Sequence, residues 1–441
     1  MGMFGTGKSS LAREYGKIHE DEYHAIVEVH ASSIKDALMG IGIINYKDDP
    51  KDFEKWANKL TELVHRNGRI LLIIHDYDLG NIDNMIKLRQ LGADVLITSR
   101  YAFEEQFGMK VLSLDEYPLG KDAARQIFRY HYREEIPETE AVQLEKLLET
   151  LEYHPLLLEL TAKLMAYEPI MLPSEMLADF HANGIAGDGQ DLFYLRDGEE
   201  SVNGGPKRIL SRIVEKSFTA MQEELAGKED DLEIRYAILR HMLLLGRCSV
   251  TFKEFSEWTG LPERKCGIQM KNLKKLGLLS GDAKTGYHMH LAVSEALDEK
   301  EEIRPTIENT KSFLEKWMLY STSGYFHWSN RAEIAVSIGK RIKGEDVFYA
   351  TILSKITPYL DGTPYQELAL ECEEKAFEIR YREYGDCHRE TAASYHSLGT
   401  LYNDRGDHKK ALLFLGKSLD IRLKLFGDWN DDTAQSYYSL G

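Results

Sequence analysis

The C-terminal part of the chain repeats itself, and this repeat constrains the fold more than any other feature. KAFEIRYREYGD begins at Lys375 and KSLDIRLKLFGD at Lys417, while TAASYHSLG begins at Thr391 and TAQSYYSLG at Thr433. Both pairs are offset by 42 residues. A fixed period in this range, carried by paired helices, is typical of an α-solenoid. The sequence therefore predicts stacked helix pairs over residues 371–441, with degenerate helical neighbours over residues 301–370.

The segment between the two copies has the spacing of small and large apolar residues found in a tetratricopeptide (TPR) hairpin. It reads SLGTLYNDRGDHKKALLFLGKSLDIR. It resembles the longer, 42-residue repeats of kinesin light chains and of many STAND signalling proteins. That resemblance implies a protein or peptide ligand on the face of the repeats.

The N-terminus carries a different signal, the phosphate-binding loop (P-loop) sequence GMFGTGKS from Gly2 to Ser9. Glycines let the backbone curl so that its N–H groups point at phosphate, and the helix that follows aims its positive end at the anion. Lys8 is expected to reach the β- and γ-phosphates, and the Ser9 hydroxyl to ligate Mg²⁺. The candidate nucleotide-binding residues of this loop are Gly2, Gly5, Thr6, Gly7, Lys8, Ser9 and Ser10.

Strand-like segments alternate with helical ones after the loop, which predicts a parallel α/β sheet over residues 1–118. The expected strands are HAIVEVHA (24–31), RILLIIHDYD (69–78), ADVLITSR (93–100) and VLSL (111–114). Ligands of such sheets bind at the carboxyl ends of the strands. Lys8, Asp76 and Arg100 are placed there, with Asp76 as the candidate group for metal or water.

The order of these motifs resembles the NB-ARC module of STAND ATPases, because the P-loop is followed by LLIIHD, LITSR and YHPLLLEL. The resemblance implies that Arg100 senses the terminal phosphate and that Pro155 lies beside the base. It also implies a helical lid over residues 119–182, a linker over 183–205 and a winged helix over 206–300. In that family a Met-His-Asp motif touches the β-phosphate of ADP. Here Met289 and His290 match it, and Leu291 replaces the aspartate.

A second departure from the family concerns hydrolysis. The apolar strand ends in His75-Asp76 where two acidic residues are usual, and a neutral imidazole is a poor ligand for Mg²⁺. We therefore expect ADP/ATP binding with Mg²⁺ and at most slow ATP hydrolysis. The resemblance implies a switch in which the TPR region controls nucleotide exchange and an ATP-bound form assembles into homo-oligomers.

Two other functions stay open at this point. The chain could be a TPR interaction scaffold with a relic nucleotide site, or a fragment of an NB-ARC/TPR transcription regulator. The basic segment MKNLKKLG (270–277) is placed like a DNA-reading helix, but the sequence gives it no basic surroundings. A net charge of −17 also argues against broad nucleic-acid binding by this chain.

Composition adds weaker expectations. The four cysteines are far apart, which fits a reducing, cytoplasmic environment, and no apolar run is long enough to span a membrane. The loop has no strand before it, and the last repeat stops within its first helix. We therefore expect the chain to be a piece of a longer protein.

Overall fold

The chain forms two compact units, and the change from the first to the second along the C-terminal half falls between Arg304 and Pro305. The computed structural model describes residues 5–30, 69–75, 92–99, 110–114, 117, 119–167, 170–183, 185, 205–246, 248–320, 328–361 and 365–440.

A small sheet with one covering helix opens the first unit. Its strands lie in the order β1-β2-β3, and the elements are α1 (Lys8–Ile18), β1 (Ala25–His30), β2 (Ile70–His75) and β3 (Asp94–Ile97). β2 is buried along its whole length and pairs in parallel with β3, so that Leu72 lies opposite Val95. The prediction of a parallel sheet is thereby confirmed, since a continuous apolar run suits a strand covered on both faces.

The expected strand at 111–114 is not formed. Val111 to Ser113 belong to no strand and Leu114 lies in a 3-10 turn. Leu112 is 51% exposed, so this short segment lacks the buried apolar side chains that hold a strand in a sheet. The prediction of a strand there was wrong.

Four helices follow the sheet: α2 (Lys121–Tyr132), α3 (Ala141–Thr150), α4 (Pro155–Met165) and α5 (Pro173–Ala182). In α2 the buried residues are Ala124, Phe128 and Tyr132, a four-residue spacing that places them on one helical face. That face packs on α4. α4 is buried on most of its surface, which makes it the central helix of this group.

The rest of the first unit consists of helices and one short hairpin. The elements are α6 (Gly205–Glu224), α7 (Glu229–Leu245), α8 (Phe252–Thr259), α9 (Glu263–Lys275), β4 (Ser280–Asp282), β5 (Gly286–His288) and α10 (Leu291–Leu297). β4 and β5 are antiparallel, and Val250 forms a bridge to Tyr287 that adds a third short segment. Arg235 on α7 is fully buried and donates to Glu224 on α6 (2.5 Å) and to Gln269 on α9 (2.7 Å). It thereby ties three helices together.

The described part of the second unit is helical. Its helices are α11 (Ile307–Tyr320), α12 (Trp328–Arg341), α13 (Val347–Leu360), α14 (Gln366–Tyr384), α15 (Arg389–Asp404), α16 (His408–Phe426) and α17 (Asp431–Leu440). From α12 onwards each helix packs on the next one in sequence. Sequential neighbour packing is the arrangement of a helical repeat array, as the period of 42 residues predicted.

The repeat extends to individual hydrogen bonds. Nη1 of Arg380 donates to the Ser394 hydroxyl at 2.7 Å, and Nη1 of Arg422 donates to the Ser436 hydroxyl at the same distance. Tyr395 and Tyr437 each donate to the aspartate nine residues earlier, at 3.0 and 3.1 Å. The sequence period therefore reflects equivalent three-dimensional contacts.

Candidate functional site

The P-loop residues that the structure describes run from Gly5 into the first turn of α1. Gly5 and Gly7 have φ values of 68° and 92°, a left-handed conformation that glycine adopts without steric cost. Gly7 is the N-cap of α1, and the first turn of that helix carries no acidic residue. The carbonyl of Gly7 accepts the first helical hydrogen bond, from the Leu11 amide at 2.9 Å. The loop thus presents a helix N-terminus with no acidic side chain in its first turn.

This loop lies directly against the start of α4. A Cβ placed on Gly5 would meet the Leu156 Cβ at 2.5 Å and the His154 ring at 2.8 Å. His154 is the N-cap of α4, where its side chain accepts from the Leu157 amide, and Pro155 is the first helical residue. The structure therefore brings the described part of the loop together with the Pro155 segment, while the role of Pro155 beside a base stays a prediction.

The end of the β4–β5 hairpin belongs to the same region. His290 is the N-cap of α10, and its Nδ1 accepts from the Ala292 amide at 3.2 Å. The positive charge of Arg13 on α1 adds to burial in lowering the pKa of His288. Burial of Glu159 on α4 opposes its ionisation, but Lys163, His131 and His290 hold its pKa below the ordinary value. Through these charges the hairpin end is electrostatically coupled to α1 and α4.

His75 occupies the end of β2, and its ring is fully buried. Its Nε2 donates to Oε1 of Glu28 on β1 at 2.7 Å, and Thr98 beyond β3 lies 3.5 Å from its Nδ1. Arg13 on α1 forms an ion pair with the same Glu28 carboxylate. The hydrogen bond from His75, followed by the contact with Arg13, lowers the pKa of Glu28 to about 2. His75 therefore links three neighbouring strand segments.

Three of the predicted site residues, Gly2, Asp76 and Arg100, lie outside the described residues. Thr6, Ser9 and Ser10 lie in the loop and in the first turn of α1, and Lys8 is almost buried. Within the described ranges no cluster of His, Cys, Asp or Glu side chains is suited to hold a metal ion. The assignment of Ser9 and Asp76 to Mg²⁺ stays a prediction.

Sequence reasoning missed Arg13 and Glu28. Arg13 reads as an ordinary charge on a helix, and Glu28 interrupts the apolar strand AIVEVH. A carboxylate in an otherwise apolar strand was the available signal, because such a group needs a partner when it is partly buried.

Comparison with known families gives a result for the second unit. Residues 367–424 match the tetratricopeptide repeat family. The match spans α14, α15 and α16, the helices that share the repeated Arg–Ser hydrogen bonds. A search among curated proteins finds no match for this chain. No helix in the described ranges is both long enough and apolar enough to cross a bilayer.

The TPR helices enclose a buried carboxylate. Glu373 on α14 is fully buried, with Nη1 of Arg380 at 3.8 Å and the Ser354 hydroxyl donating at 3.2 Å. Burial raises the pKa of Glu373 to about 7, and Arg380 opposes the shift. TPR arrays bind protein partners, so the family match supports an interaction role for this unit.

Proposed function

We propose that the chain is a nucleotide-dependent switch whose first unit binds ADP or ATP and whose TPR helices sense a protein or peptide ligand. The observation that carries this proposal is the close contact between Gly5 of the P-loop and the first residues of α4. Because Gly5 has no side chain and adopts a left-handed conformation, the loop backbone can lie close to the start of α4 and to a ligand bound there. In this proposal the nucleotide binds at this junction, as the resemblance to the NB-ARC module implies.

Each candidate residue has a role in this proposal. The amides of the loop and of the first turn of α1 bind phosphate oxygens, and Lys8 neutralises their charge. Because Nδ1 of His290 accepts a hydrogen bond, a neutral ring carries its proton on Nε2, where it can donate to the β-phosphate. Pro155 lies by the base, and Arg100 senses the terminal phosphate. Helices α7 to α9 and the hairpin act as the winged helix.

Switching follows from differential binding. Bound ADP joins the P-loop to His290 and favours the closed arrangement, whereas a TPR ligand that prefers the open form shifts the population toward it. ATP then stabilises the open form, which assembles into homo-oligomers in the cytoplasm. Hydrolysis is slow, because the buried His75 replaces an acidic group and is hydrogen-bonded to Glu28. Mg²⁺ is held by Ser9 and Asp76.

The test is to denature the purified protein and identify any nucleotide that it releases. The wild type is expected to release about one ADP per chain, whereas Lys8→Ala releases none, because the lysine compensates phosphate charge. Lys17→Ala is the matched control, since this exposed lysine belongs to the same helix and pairs only with Glu14 among the described residues. An empty wild type that also fails to bind added ADP would refute the switch.

A TPR interaction scaffold is the second candidate. It is favoured by the hydrogen bond that holds His75 to Glu28 within the sheet and by the family match to the repeats. In that case Lys8→Ala would leave the affinity for a TPR ligand unchanged. A switch predicts that the same variant alters ligand affinity, since nucleotide and ligand binding are then linked.

A further inference from the structure

A cleft of about 790 Å³ lies within the first unit, and its lining residues in the described ranges do not include those of the P-loop. Its walls are the ends of α2 and α4 on one side and the end of α9 with the β4–β5 hairpin on the other. The P-loop contacts Leu156 at the beginning of α4, whereas the cleft reaches α4 at Glu159 and continues to Tyr167. With a rise of 1.5 Å per residue, the P-loop contact and the near edge of the cleft are about 4–5 Å apart along that helix.

The cleft is basic, although the chain as a whole carries a net charge of −17. Its cationic lining residues come from three helices and are Arg133, Lys163, Lys271, Lys274 and Lys275. The sequence alone gave the segment around Lys274 no basic surroundings. The fold corrects that expectation, because it brings Arg133 and Lys163 to the same cleft.

The two acidic residues of the lining are already engaged. Glu159 forms an ion pair with Lys163. Asp282 accepts hydrogen bonds from the backbone amides of Lys284 and Thr285, both at 2.8 Å, and these bonds lower its pKa. By contrast, across the ranges that the structure describes, no carboxylate lies within ion-pair distance of Lys271, Lys274 or Lys275, whereas Lys265, earlier on α9 and outside the cleft, pairs with Asp231.

We propose that this cleft binds a small polyanion carrying several phosphate groups. Its volume falls in the range of small-molecule sites, roughly 300–1,000 Å³. Converging lysine ammonium groups and an arginine fork are the usual recognition groups for phosphate. A nucleic-acid duplex does not fit, because α2 and α4 stand opposite the basic end of α9 and leave a concave space. Groove reading needs an exposed helix.

The ligand would bridge α2 and α4 to α9 and the hairpin, so binding would stabilise the contact between these two groups of helices. In the proposed switch, these groups are the lid and the winged helix. The cationic residues of the cleft differ from those assigned to the nucleotide, so this site goes beyond the proposed function.

Calorimetric titration of the full chain with tripolyphosphate tests the proposal. Lys274→Ala/Lys275→Ala is expected to weaken binding by at least about tenfold, as loss of charged hydrogen bonds predicts. Lys409→Ala/Lys410→Ala, an adjacent exposed pair in the TPR unit with the same charge change, should bind like the wild type. Lys271→Ala provides a second, single-site variant. Circular dichroism checks that each variant is folded.

Lys8→Ala separates this site from the P-loop. If tripolyphosphate binds Lys8→Ala normally and the cleft variants weakly, the proposal is supported. If binding is lost in Lys8→Ala and retained in the cleft variants, the probe occupies the P-loop and the proposal is overturned. Absence of binding to the wild type, or equal weakening in the TPR control, also overturns it. Failure of ADP binding alone concerns the switch and not this cleft.

Discussion

The buried carboxylate of Glu373 makes the stability of the TPR unit depend on pH. Burial raises its pKa from 4.5 to about 7, and its Oε2 has no hydrogen-bond partner among the described residues. Between these two pKa values the unfolded chain loses the proton and the folded chain keeps it. Stability therefore falls as pH rises through that window.

We expect Glu373→Gln to remove this dependence, because an amide resembles the neutral carboxyl. From the two pKa values, the variant should exceed the wild type in stability by about 1 kcal/mol at pH 5 and by about 3 kcal/mol at pH 8. Glu373→Leu should act similarly. The period of 42 residues places the buried Leu415 at the equivalent position of the next repeat, beside the equivalent arginine.

Hydrogen exchange followed by mass spectrometry measures this difference locally. Peptides from α14 and α15 should exchange more slowly in both variants than in the wild type at pH 8, with a much smaller difference at pH 5. Comparison at equal pH cancels the intrinsic exchange rate. If Glu373→Gln exchanges faster than the wild type at pH 8, the ion pair with Arg380 outweighs burial and the reasoning is refuted.

Two further predictions concern the first unit. Gly5→Ala should lower the midpoint of urea unfolding, since a left-handed alanine costs about 1–2 kcal/mol and the clash with Leu156 adds about 1–3 kcal/mol. Gly7→Ala should pay only the cost of a left-handed alanine, because nothing lies within 4 Å of its Cβ position. Equal urea midpoints for Gly5→Ala and Gly7→Ala would therefore contradict the contact between Gly5 and α4. Arg235→Ala should cost about 2–5 kcal/mol, because it empties the space of a fully buried side chain and removes the donor to the buried Gln269. Calorimetry checks this as a lower Tm, and an unchanged Tm would show that the network adds no stability.

Local patterns predicted the elements that depend on local chemistry. The run ILLIIH became a buried strand because its apolar residues suit a sheet covered on both faces. The repeat predicted α14 to α17, because equivalent residues make equivalent contacts. The segment VLSL failed as a strand, since four residues of suitable composition do not reveal whether a neighbour covers them.

The candidate site was harder to predict, because its parts are distant in sequence. The motif order suggested that the P-loop and Pro155 meet, but no local pattern revealed that His75 bonds to Glu28, 47 residues earlier. The basic cleft was missed for the same reason. Arg133 and Lys163 lie more than 100 residues before the lysines of α9, and the net charge of the whole sequence conceals this cluster.

The recurring hydrogen bond between an arginine and a serine joins successive TPR hairpins through equivalent residues. Each hairpin therefore contacts the preceding and the following hairpin through equivalent residues. Duplicating residues 375–416 in place would add one more arginine–serine junction of the kind already present twice. Such an array can grow or shrink by whole periods while each junction stays the same, so the length of the binding surface can change independently of how each repeat folds.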